Sequence, residues 1–160
     1  MECRKMDNDK QVFFYEQDFY VLSNFSSFRI NLNGLTFDTS EAAYHWLKFS
    51  ITAPAIADAV RAAPSAHEAF KIAETNKALR RGDWDDVKTH FMRDILRAKI
   101  DQHEYVRRKL LATGDRELIE DSWRDGVWGW GPNRDGQNLL GKLWMEVRAE
   151  LRGMAQRVAA

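Results

Sequence analysis

Apolar positions follow two different rhythms along this chain, and the change comes near residue 38. Val12-Phe13-Phe14-Tyr15 is a short apolar run that predicts a strand. Phe28-Arg29-Ile30-Asn31-Leu32 alternates with period two, Asn33-Gly34 follows, and Leu35-Thr36-Phe37 resumes the run. Asn-Gly between two such runs predicts a hairpin, because both central residues of the favoured tight turn take positive φ. From about residue 39 the spacing turns helical. Asp38-Thr39-Ser40-Glu41 predicts a helix start with Asp38 or Ser40 as cap, and the helix runs to about Ile51, before Thr52-Ala53-Pro54. Ile56, Ala59, Val60 and Ala63 mark a short amphipathic helix ending near Pro64. Ser65 is the expected cap of the next, with Ala66, Ala69, Phe70 and Ala73 facing inward.

Asp83 is the expected cap of a long helix that carries Trp84, Val87, Phe91, Ile95 and Ala98 at steps of three or four. A further helix spans about Tyr105 to Leu111 and stops at Thr113-Gly114. Asp115 to about Glu120 reads as one more helical turn, residues 122–137 as a loop, and the last helix shows Leu140, Leu143, Val147, Leu151 and Met154 on one face. The pattern predicts an α+β, predominantly helical fold: one domain over residues 12–153 with a small antiparallel sheet, a flexible stretch over 1–11 and a tail over 154–160.

Composition narrows the partners. With 44% apolar and 30% charged residues, the chain reads as folded and soluble. Lys+Arg and Asp+Glu are both 24, so the net charge is zero and bulk attraction to a polyanion is not expected. No apolar run reaches the roughly 20 residues that a membrane-spanning helix needs. The segment MECRKMDNDK has no apolar stretch behind its charges, so no secretory signal or anchor is expected there. A lone cysteine, Cys3, makes no internal disulfide, and a cytoplasmic location is the expectation.

Several chemistries lack their signatures. No two of His45, His67, His90 and His103 lie three to five residues apart, so metal-ligand spacing is missing and no metal or cofactor is expected. There is no phosphate-binding glycine loop before a helix and no GxSxG elbow. Cys3 is a poor nucleophile candidate.

Three segments carry candidate chemistry. In the loop SWRDGVWGWGPNRDGQ, Trp123, Trp128 and Trp130 stand among glycines, with Asp121, Asp125 and Asp135 nearby. Indole faces suit a nucleobase or a sugar, although tryptophans can also plug a core from a loop. Glu41, Tyr44, His45 and Lys48 fall at helical spacing, so an acid, a phenol, an imidazole and an ammonium share a face. That set suits a polar substrate, but Asp38-x-x-Glu41 also resembles a capping box, which needs none. Arg80-Arg81-Gly82-Asp83-Trp84 places two arginines before a helix start, which suits a phosphate or else a solvated turn with Trp84 packed inward.

The order of these pieces resembles the NADAR / YbiA-like N-glycosidase family. The resemblance covers about residues 12–152. It rests on Leu22-Ser23-Asn24-Phe25, Thr39-Ser40-Glu41-Ala42-Ala43-Tyr44 with Lys48-Phe49, Leu79-Arg80-Arg81-Gly82-Asp83-Trp84, Ala98-Lys99, and Asp125, Trp128-Gly129 and Asn138-Leu139-Leu140-Gly141. It implies hydrolysis of a C1′–N ribosyl bond without a cofactor or a metal. Glu41, Trp84 and Asp125 match the family's catalytic positions. Asn24, Phe25, Tyr44, Lys48, Arg81, Trp128, Gly129 and Asn138 are the implied substrate-binding residues. The implied substrates are ADP-ribose joined to guanine, in nucleic acid or a nucleotide, or a phosphoribosylamino-pyrimidine from early riboflavin synthesis. A non-catalytic ADP-ribose-binding module stays open as an alternative. The chain departs from the family pattern at Ala42 and His45, where His and Gln are usual, at Trp46, and by one extra residue between Arg81 and Asp83.

Overall fold

The Asn33-Gly34 turn closes a hairpin, as its dipeptide predicts. In the computed structural model, which describes residues 6–15 and 18–160, β2 (Ile30–Leu32) pairs antiparallel with β3 (Leu35–Phe37), and Ile30 lies opposite Phe37. Both turn residues have positive φ, 52° at Asn33 and 86° at Gly34. The asparagine's preference for this region and glycine's indifference to it make the turn cheap. Cys3 lies outside the described residues.

The chain forms two compact units, one of residues 24–103 and one of residues 1–23 with 104–160. In the first, the hairpin leads into α1 (Ser40–Phe49), α2 (Pro54–Ala62), α3 (Ala66–Thr75) and the long α4 (Trp84–Gln102). Helix α1 packs against α2, α3 and α4, and so forms the centre of this unit. Its cap is Thr39, whose hydroxyl accepts from the Ala42 N–H at 3.1 Å. The expected caps Asp38 and Ser40 are both corrected: Asp38 pairs with Arg29 at 3.2 Å on the surface, and Ser40 is the first helical residue. Ser65 caps α3 as expected, accepting from Glu68 N–H at 3.1 Å. Asp83 precedes α4, but its carboxylate bonds Arg81 rather than the helix N-terminus. The buried face of α4 is Trp84, Met92, Ile95, Leu96, Lys99 and Ile100. Phe70, expected inward, is exposed instead.

In the second unit, β1 (Gln11–Phe14) pairs in parallel with β4 (Glu117–Glu120), Val12 opposite Leu118. The turn of helix expected over 115–120 is thus a strand. Leu118-Ile119 is too short for periodicity to decide, and β1 supplies its backbone partners. Helix α5 (Glu104–Ala112) stops before Thr113-Gly114, as read from the sequence. The segment between β4 and the last helix, α6 (Leu139–Ala159), holds neither helix nor strand. Helix α6 packs on β4 and α5 through Leu140, Leu143, Trp144 and Val147. Its apolar face fades outward: Leu151 is half-buried and Met154 is 53% exposed.

The architecture is α+β and predominantly helical, with the antiparallel pair expected and a parallel pair not expected. Among the described residues no helix is long and apolar enough to cross a membrane.

Candidate active site

Glu41 sits in the first turn of α1, yet only 8% of its surface is exposed. A carboxylate there is favoured by the partial positive charge of a helix N-terminus. Its backbone N–H donates to the Asn24 carbonyl at 3.0 Å, which ties the Asn24-Phe25 turn to the helix start. The side chain does not close a capping box. It reaches one turn along the helix, where Oε1 lies 2.6 Å from His45 Nε2, at hydrogen-bond distance. Oε2 has no partner among the described residues.

Around this pair lie buried polar atoms left open. Asn24 Oδ1, Ser40 Oγ and His45 Nδ1 have no hydrogen-bond partner among the described residues. Asn24 Nδ2 reaches only the Met92 thioether, at 3.5 Å. Buried polar groups are satisfied in the great majority of cases, so three orphans on or beside the first turns of one helix call for an explanation. The sequence placed Glu41 and His45 on one face, but it gave no sign that His45 would bond the acid or that Ser40 would be wholly buried.

One turn further on, Lys48 is buried with its ammonium 4.8 Å from the centre of the Tyr44 ring and 5.7 Å from that of Trp84. Burial lowers its pKa to about 8, against the opposing pull of Glu41 and Glu74. The aromatic faces compensate part of the lost hydration. Trp84 is only 1% exposed; its ring meets Tyr44 edge-on at 5.1 Å and stacks on Phe91 at 6.0 Å. It therefore serves as a wall behind Lys48. The Arg81 N–H donates to the Lys48 carbonyl at 2.8 Å, which places the arginine turn beside the end of α1. The Arg81 guanidinium grips Asp83 through two bonds, of 2.6 and 2.9 Å, and this pairing raises the arginine's pKa and lowers the aspartate's. Phe25 is 38% exposed. Glu41, Tyr44, Lys48, Arg81, Trp84, Asn24 and Phe25 all belong to the unit of residues 24–103.

Asp125, Trp128, Gly129 and Asn138 belong to the other unit, where they hold one loop in shape. Asp125 Oδ1 accepts from the N–H groups of Val127 and Trp128 at 2.8 and 2.9 Å. Oδ2 has no partner among the described residues. Trp128 is half-buried, and its carbonyl accepts from Leu140 N–H at 3.0 Å, at the start of α6. A Cβ at Gly129 would lie 2.8 Å from the Glu120 carbonyl oxygen, so only glycine lets the loop pass β4 this closely. Asn138 has φ 50° and spends both ends of its amide on β4: Oδ1 accepts from Glu120 N–H at 3.0 Å and Nδ2 donates to Leu118 C=O at 2.9 Å. Trp130 donates its indole N–H to Asp121 at 2.8 Å, and the Trp123 ring lies 4.2 Å from the Arg124 guanidinium. Among the described residues no three His, Cys, Asp or Glu side chains form a group that could hold a metal ion.

The model of the NADAR domain family matches residues 13–152. An N-glycosidase of Nostoc punctiforme is 37% identical over 146 residues, covering 89% of this chain and 94% of that protein. A riboflavin biosynthesis protein of Vibrio vulnificus is 36% identical over 145 residues; the match covers 89% of this chain but only 39% of that longer protein. The NMR structure of the Escherichia coli protein YbiA superposes with a TM-score of 0.83 at 32% identity, over 96% of this chain and 91% of that one.

Proposed function

The chain belongs to the NADAR family and, like the N-glycosidase it matches over nearly that protein's whole length, is a hydrolase of N-glycosyl bonds; on that premise we propose that it cleaves the C1′–N bond of a phosphorylated riboside, with Glu41 as the reacting acid. The observation that carries the reading is the state of the Glu41 carboxylate. It is buried at a helix N-terminus, one oxygen is held by His45, and the other is uncommitted.

As the C1′–N bond stretches, positive charge builds on C1′ and the ring oxygen. A fixed carboxylate near that carbon stabilises the charge and takes a proton from the attacking water. The water's hydroxyl ends on C1′, and the nitrogen leaves with the bonding pair and a proton. Asn24 and Tyr44 line the same helix start and meet the sugar, with Phe25 beside them. Lys48, backed by Trp84, neutralises a phosphate together with Arg81, which must loosen its hold on Asp83 to do so. Asp125 and Trp128 are carried into the proposal by the family match alone, and within their own unit Gly129 and Asn138 keep that loop in place.

The substrate we favour is ADP-ribose joined to guanine, free or in nucleic acid. The supply of aromatic side chains supports it. A second reading, a phosphoribosylamino-pyrimidine, is favoured by the riboflavin biosynthesis name of the Vibrio relative. Incubating the protein with ADP-ribosylated guanosine and with the phosphoribosylamino-pyrimidine, and identifying the products by mass spectrometry, separates the two. Release of guanine and free ADP-ribose supports the first; release of the pyrimidine and ribose phosphate, with ADP-ribosyl-guanosine untouched, supports the second. Tight ADP-ribose binding with no turnover of either compound would make the protein a binding module.

A further inference from the structure

His45 is the one side chain bonded to the Glu41 carboxylate among the described residues. A histidine kept here for packing alone would be an expensive choice. Its ring is 2% exposed and lies between Tyr44, at 5.1 Å, and Phe70, at 5.9 Å. A leucine would fill such a space without a polar atom to desolvate. The structure instead buries Nδ1 with no partner among the described residues. The opposite nitrogen explains the residue. An ionised carboxylate only accepts hydrogen bonds, so at 2.6 Å Nε2 must carry the proton. The ring planes of Tyr44 and Phe70 hold the imidazole at that angle, and the helical step of four sets the distance.

We propose that His45 is a positioning residue for Glu41: it donates Nε2–H to Oε1, locks the carboxylate in one rotamer and leaves Oε2 as the oxygen that meets the reacting carbon. The inference rests on the reading of Glu41 as the reacting acid, and it adds a role that nothing in the family resemblance assigns to this position. A carboxylate free to rotate would present either oxygen at varying angles; a short charge-assisted bond removes that freedom before substrate arrives. The tautomer is fixed in the same stroke, because the donor nitrogen is committed.

Three variants and one spectrum test it. His45→Leu removes the donor and keeps the bulk, and kcat should fall about 10- to 100-fold with KM little changed, the size expected for losing one charge-assisted bond to a reacting group. His45→Gln restores an N–H donor at the same helical step, and most of the lost kcat should return. Side-chain ¹H–¹⁵N spectra of the native protein should show His45 protonated at Nε2 and bare at Nδ1. Glu41→Gln should move the Nε2 proton upfield, as the acceptor loses its charge. Unchanged kcat in His45→Leu, beside an inactive Glu41→Gln, would overturn the positioning role and leave the acid in place. Full activity in Glu41→Gln would instead overturn the reading of the acid itself. A proton on Nδ1 with Nε2 bare would overturn the proposal even if His45→Leu failed to fold.

Discussion

Two buried asparagines, one in each unit, show how differently this chain uses polar side chains. Asn138 spends both ends of its amide on the backbone of β4. Among the described residues, Asn24 finds no partner for its carbonyl oxygen and only a thioether for its amide. The same contrast separates their neighbourhoods. Along residues 121–138, Asp121 holds Trp130, and Asp125 holds two loop N–H groups. Around the start of α1, Ser40, His45 and Asn24 carry buried atoms that nothing among the described residues satisfies. A polar side chain used up by its own backbone maintains a shape. A buried one with an open atom carries a cost that a bound ligand or water can offset. On that criterion we place the proposed site at the first turns of α1, while the bonds of Asp121, Asp125 and Asn138 hold their loop in shape.

The widest expected gap is kinetic. Glu41→Gln should lower turnover by roughly 10³-fold while ADP-ribose binding, followed by calorimetry, stays within a few-fold. Next in size, Asn138→Ala should cost about 3 kcal/mol of stability in a urea titration. It strands two buried backbone groups and puts a Cβ-bearing residue without a local side-chain bond at positive φ. If Asn138→Ala were as stable as the native protein, the scaffold half of the contrast would fail. Asp125→Asn sharpens the contrast. Asn keeps an oxygen for the Val127 and Trp128 N–H groups but lacks the charge, so the melting temperature should hold while turnover falls about 10-fold. A lower melting temperature with unchanged turnover would move Asp125 fully into the scaffold.

The smallest effect concerns Lys48. Its pKa of about 8 lies below the ordinary 10.5 because burial penalises the ammonium. Below pH 8 both folded and unfolded chains hold the proton, and the fold bears the full desolvation cost. Between about 8 and 10.5 the folded chain has released the proton that the unfolded chain still binds, so native stability rises relative to a chain without the group. Lys48→Met should therefore be more stable than the native protein at pH 7, by on the order of 1 kcal/mol, and the gap should close as pH approaches 10.5. Lys99, buried with a pKa lowered to about 7, is common to both chains and cancels in the difference. A gap independent of pH would show that Lys48 is not desolvated.

Local physics was the readable part of the sequence. The Asn33-Gly34 hairpin, the Ser65 cap and the end of α5 each depend on residues within a few positions. Choices between equivalent neighbours were less readable. Asp38, Thr39 and Ser40 can all cap, and the structure uses Thr39 because its hydroxyl alone meets the Ala42 N–H. Partners far along the chain left no local mark. Leu118-Ile119 becomes a strand only because Phe13 and Val12 lie beside it. Asn138 resembles a ligand-binding residue until its bonds to β4 are seen. Glu41 and His45 were visible as helix neighbours four apart, but whether the acid would turn back to cap its helix or forward to the imidazole depended on geometry that spacing alone does not hold.

Hydrolysis in ¹⁸O-labelled water addresses the proposed chemistry head-on. With whichever riboside the protein turns over, the released sugar should carry one ¹⁸O on C1′, the nitrogen base should carry none, and Glu41→Gln should bind that riboside without releasing either product. Unlabelled sugar, or normal release by Glu41→Gln, would contradict water attack directed by the Glu41 carboxylate.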